Sequence, residues 1–139
     1  MLDISLEEAQ LFRFLASFFG KEKVVYKASL NLVLGGNVEA PRGVEPHSFA
    51  AWAKEHKCLF TVMNEEGDPR LVVEFKPGFC GIVDSSDAQY WQFVEPVLRT
   101  AGLHYITVSR EEFAELTNPE GTLDFFTFLE SKIEQDVSV

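Results

Sequence analysis

From Ser5 to Phe19 the apolar residues Leu6, Ala9, Leu11, Phe12, Leu15, Ala16, Phe18 and Phe19 recur at helical spacing and give a broad apolar face. Ser5 and Glu8 read as a capping box, and Gly20 as the stop. Between Lys23 and Leu34 the pattern turns to alternation among β-formers such as Val24, Val25, Tyr26 and Leu30, which predicts a strand ended by Gly35-Gly36-Asn37. Residues 39–46, with two prolines and Gly43, read as a loop, and His47 to His56 as a short helix carrying Phe49, Ala50, Trp52 and Ala53. Two runs, Lys57–Met63 and Arg70–Lys76, flank the turn Asn64-Glu65-Glu66-Gly67-Asp68-Pro69. Their apolar residues barely alternate, so the expected β-hairpin is covered on both faces.

Pro77-Gly78 breaks the second of these strands, and a loop to Ser86 precedes a helix expected over Asp87–Ala101, with Pro96 as a local defect and Gly102 as C-cap. Leu103–Val108 reads as a strand, and Ser109 caps a helix over Arg110–Leu116. Thr122 is the expected cap of a last helix with Leu123, Phe126, Leu129 and Ile133 on one face. The order is α, β, α, β, β, α, β, α, α. A helix between the third and fourth strands allows a crossover and a parallel pair. The expectation is a single α/β domain over residues 1–139, with a mixed sheet of about four strands and helices on both sides.

Composition narrows the function classes. Twelve basic residues face 22 acidic ones, for a net charge of −10. Residues 1–76 carry nine Lys/Arg and 11 Asp/Glu; the remainder carries three and 11. Such a field repels phosphate backbones, so nucleic-acid binding would need a local basic cleft from the first half. The longest uncharged stretch, Ala28–Val38, is 11 residues, too short to cross a bilayer, so no membrane partner is expected. The start, Met1-Leu2-Asp3-Ile4, lacks the positive opening of a signal peptide, and Cys58 and Cys80 are expected as reduced thiols. A cytoplasmic location follows as the default.

The candidate chemistry lies at Glu74 and Lys76. Two apart on a strand, they project from one face. A carboxylate can hold Mg²⁺ beside a phosphodiester while a neighbouring ammonium polarises water or steadies the transition-state charge. A structural pair at a strand end explains the same two residues. Glu8 is explained by its capping box. His47, His56 and His104 lie on different elements without ligand spacing and read as surface or core histidines. Cys58 and Cys80 lack the spacing of a zinc or redox motif. Tyr90, Trp91 and Phe93 point in successive directions on one helix, which leaves core packing or a homodimer interface as readings of that cluster.

The pieces Ser5-Leu6-Glu7-Glu8, Val24–Leu34, Trp52–Lys57, Cys58-Leu59, Leu71–Lys76 and Leu98–Val108 with Ala101-Gly102 follow one another as helix start, strand, basic helix, hairpin and helix–strand. This succession resembles the restriction-endonuclease-like fold of the PD-(D/E)xK nucleases, and within it a small bacterial family of unknown function. The resemblance covers roughly residues 5–116, with residues 117–139 as an appended C-terminal helix. It implies Glu74 as a metal ligand, Lys76 as the catalytic lysine and Glu8 as a helix carboxylate facing the site, with Mg²⁺ as cofactor if the domain is active. At the family's metal-binding Asp stands Cys58. A neutral thiol is a poor Mg²⁺ ligand. Asp68 lies in the hairpin turn, six positions from Glu74, and Asp84 or Asp87 would have to swing back from the following loop. The missing Asp and the acidic charge favour a degenerate, non-catalytic binding or regulatory module without a cofactor; an Mg²⁺-dependent nuclease acting through Glu74 and Lys76 is the alternative.

Overall fold

Four strands form one mixed sheet in the computed structural model, which describes residues 5–36, 39–76, 92–118 and 124–137. The chain opens with α1 (Leu6–Phe19), capped by the reciprocal Ser5–Glu8 bonds that the sequence spells out. A turn of 3₁₀-helix leads into β1 (Val24–Ser29). Here the expected strand stops short. The Ser29 hydroxyl accepts from the Leu32 amide and starts α2 (Leu30–Val33), so residues 30–34 are not the strand that their alternation suggested.

The next helix, α3 (Pro46–Glu55), begins at a proline whose missing amide costs nothing at the first helical position. Glu45 caps it by accepting from the amides of His47 and Ser48. Strands β2 (Lys57–Met63) and β3 (Pro69–Phe75) form the expected hairpin. Four consecutive residues of β3, Leu71–Glu74, are buried, because apolar layers cover both faces. Then α4 (Val94–Thr100) crosses to β4 (His104–Val108), which pairs parallel to β3. Pro96 falls in the first turn of α4, where its absent N–H breaks no hydrogen bond, so the expected defect does not arise. Two further helices, α5 (Arg110–Thr117) and α6 (Phe125–Val137), complete the described chain. Asp124 caps α6: its carboxylate accepts from the amide and hydroxyl of Thr127. Residues 77–91 and 119–123, which hold Thr122, Leu123, Cys80, Asp84, Asp87, Tyr90, Trp91 and the start of the expected long helix, lie outside the described residues.

The strand order is β1-β2-β3-β4, with the first two pairs antiparallel and the last parallel. One face of the sheet meets α1, α5 and α6: Leu11, Leu15, Phe113, Leu116, Phe128 and Leu129 pack on Phe60, Val73, Ile106 and Val108. The other meets α2, α3 and α4: Leu30, Val33, Ala53, Val94 and Leu98 pack on Cys58, Val72 and Tyr105. Helices therefore lie on both sides of a mixed sheet, as expected. Among the described residues no helix is long and apolar enough to cross a membrane.

The outer pair of strands departs from simple alternation in a way that shapes the site. Tyr26 pairs with Phe60, and both belong to the first face. Two residues on, Ala28 pairs with Cys58, and both belong to the second. Regular strands would keep all four on one side. Between the pairs lies Lys27, the only described residue other than glycine with positive φ, at 55°. A residue in the left-handed region turns the chain locally, as in a β-bulge, and re-aims the next side chain. Cys58 stands opposite on β2, and its thiol faces the side that carries Glu74.

Candidate polar site under the second face

Glu74 follows Val72 by two residues on β3, so it faces α3 and α4 rather than the phenylalanine-rich layer. It is 2% exposed. An ionised carboxylate in such a place needs donors, and three elements supply them. From the C-terminal cap of α3, His56 Nε2 lies 3.2 Å from Glu74 Oε1. From β4, the Tyr105 hydroxyl donates to Glu74 Oε2 at 3.3 Å. Register explains that reach: Tyr105 pairs with Val72, so it is the diagonal neighbour of Glu74 on the same face. From β2, the Cys58 thiol faces the same carboxylate, the ligand atoms of His56, Cys58 and Glu74 all lying within 4.8 Å of one another.

The electrostatics agree with donors facing an anion. Burial pushes the Cys58 thiol well above its ordinary value, and the Glu74 charge and hydrogen bond push it further. Burial raises the Tyr105 phenol in the same way, again reinforced by Glu74. Both groups therefore stay protonated at neutral pH and serve as hydrogen-bond donors. His56 is itself 6% exposed, and the Trp52 ring stacks on its imidazole with centroids 4.6 Å apart and planes inclined by 24°. One turn of α3 thus fixes the ring that the end of the helix presents.

Of the residues singled out in the sequence, the structure brings Cys58 and Glu74 together. It does not bring Lys76 or Glu8 to them. Lys76 is exposed just past the end of β3, where its amide donates to the Val108 carbonyl, and its side chain has no ion pair among the described residues. Glu8 closes the cap of α1, accepting from the Ser5 amide at 2.9 Å and from the Tyr26 hydroxyl at 3.2 Å. Tyr26 packs on Phe60, which puts Glu8 on the opposite side of the sheet from Glu74. Asp68 is exposed in the hairpin turn, and its amide donates to Asn64.

Sequence reasoning missed His56 and Tyr105. Neither is spaced to Glu74 in a recognisable way, being 18 and 31 positions distant. The available signal was a carboxylate inside an apolar strand, which requires buried partners somewhere in the chain. No protein-family model matches the chain, and no curated protein or solved structure matches it.

Proposed function

We propose that this chain is a degenerate PD-(D/E)xK nuclease-like domain that has kept a scaffold and lost phosphodiester chemistry, and that it serves as a binding or regulatory module. One observation carries the reading: the Glu74 carboxylate is closed over by His56, Cys58 and Tyr105 inside an apolar layer, while Lys76 stays outside in solvent. A nuclease needs that carboxylate open to a hydrated Mg²⁺ and to a phosphate, with the amine beside it. Further support comes from the position of Cys58. The resemblance assigns its place to the metal-binding Asp, and the structure sets it against Glu74. Fold by itself does not decide activity.

A net charge of −10 disfavours nucleic acid as the partner, and a basic protein surface fits the field better. The test is a melting curve with and without Mg²⁺ or Mn²⁺, run beside a cleavage assay on supercoiled and single-stranded DNA. No shift and no nicking are expected. Metal-dependent nicking that Glu74→Ala abolishes would overturn the proposal in favour of the nuclease. Cys58→Asp supplies a complementary arm: Mg²⁺ binding gained by that change supports the descent from a metal site.

A further inference from the structure

We propose that His56, Cys58 and Glu74 form a binding site for a thiophilic divalent cation of the zinc class. The three side chains come from the end of α3, from β2 and from β3, and their ligand atoms lie within 4.8 Å of one another. All three are buried, at 6%, 0% and 2% exposure. In a tetrahedral zinc site with bonds of about 2.0–2.3 Å, donor atoms sit about 3.5 Å apart. His56 Nε2 and Glu74 Oε1 are already 3.2 Å apart, so closing the set on an ion requires side-chain adjustment, not movement of strands.

The donor chemistry selects the ion. One imidazole nitrogen, one sulfur and one carboxylate oxygen match the mixed N/S/O sets that bind Zn²⁺, whereas Mg²⁺ asks for oxygens and water. Coordination replaces the S–H bond of Cys58 by an S–metal bond and the Nε2–H bond of His56 by an Nε2–metal bond; the thiol proton leaves to buffer, and the imidazole stays neutral with its proton on Nδ1. The cation then neutralises the Glu74 charge that now faces the thiol. Outer partners are in place as well. The Tyr105 hydroxyl holds Glu74 Oε2, leaving Oε1 on the side of His56, and Trp52 fixes the imidazole plane. The inference does not depend on descent from a nuclease, and it concerns a different class of metal from the one that reading requires.

The experiment uses the full chain, stripped with a chelator and titrated with Co²⁺ as the probe. A single-thiolate charge-transfer band in the near ultraviolet is expected, with visible absorption of tetrahedral intensity, both displaced by one equivalent of Zn²⁺. Excess Mg²⁺ leaves them unchanged. Zn²⁺ raises the melting midpoint of the wild type by several degrees, and Cys58→Ser removes both the band and the shift while Cys80→Ser retains them. Absence of the band, or a band that survives in Cys58→Ser, overturns the proposal. Should Cys58→Ser fail to fold, X-ray absorption of the zinc-loaded wild type decides. One sulfur among nitrogen and oxygen ligands upholds the site, and no sulfur, or two, refutes it. Failure of this titration leaves the Mg²⁺ and cleavage outcomes above untouched, so the two readings fall separately.

Discussion

Two tyrosines donate to two carboxylates at nearly the same distance, and they offer a controlled measure of what burial does to the site. Tyr105 reaches Glu74 at 3.3 Å, and Tyr26 reaches Glu8 at 3.2 Å. The chemistry is identical; the surroundings differ. Glu74 is 2% exposed, while Glu8 and Tyr26 are only partly buried and water can take the place of the lost phenol. Tyr→Phe is nearly isosteric, so neither change opens a cavity of consequence. A hydrogen bond to an ionised group contributes about 1.5–3 kcal/mol net. At 3.3 Å the Tyr105 bond is long for a charge-assisted contact, which places Tyr105→Phe near the lower end, about 1.5–2 kcal/mol. Tyr26→Phe should cost about 0.5 kcal/mol, since exposed partners are rescued by solvent. For a chain of this size the first change corresponds to a loss of roughly 5 °C in Tm. Urea unfolding at pH 7 followed by tryptophan fluorescence compares the two, provided the m-values match the wild type. Equal costs, or a Tyr105→Phe cost below about 0.5 kcal/mol, would refute the claim that Glu74 depends on its buried donors.

Three further outcomes follow from other parts of the fold. The Thr61 hydroxyl is buried without a hydrogen-bond partner among the described residues, so Thr61→Val, similar in shape, should raise stability by about 1 kcal/mol in the same urea assay. At Lys27, with φ of 55°, Lys27→Gly should be neutral to stabilising by up to about 1 kcal/mol, whereas Lys27→Val should cost more than about 1 kcal/mol; paired melting curves read the difference. Burial pushes the Glu112 carboxyl up, but the Lys132 ammonium at 2.8 Å and the Ser109 cap outweigh it and hold the group below its usual range. A depressed carboxylate stabilises the fold above its unfolded pKa, and that contribution is lost as pH falls through the folded value. The coupling between Glu112→Gln and Lys132→Met in a double-mutant cycle should therefore be about 0.5 kcal/mol at pH 7 and fade as acidification carries Glu112 through its lowered folded-state pKa.

Features resting on neighbours a few residues apart were legible in the sequence. The Ser5–Glu8 box and the Ser109 cap are bonds across three positions, and both stand as read. The hairpin of β2 and β3 follows from two apolar runs about one turn, and the parallel β4 from the helix between it and β3. Errors arose where two local signals compete. At Ser29 the residues Leu30, Leu32 and Leu34 continue an alternation, yet the serine caps a helical turn whose Leu30 and Val33 fill the core under the second face. The polar site was half legible. Glu74 stands out as an acid in an apolar strand, but its partners depend on register and on a reversal of facing between Tyr26–Phe60 and Ala28–Cys58. On β1 the left-handed turn beside that reversal falls on Lys27, a residue type with no preference for it.

The sheet order also decides which stretches of chain must meet before the polar centre closes. Only β2 and β3 join through a short turn; β1 and β4 each reach the hairpin across more than 25 intervening residues. The hairpin by itself holds Cys58 and Glu74, while the phenol of Tyr105 comes from 31 positions beyond the acid. A fragment ending before β4 therefore leaves the carboxylate without that donor and one flank of its strand bare, a charged gap where the interior should be dry.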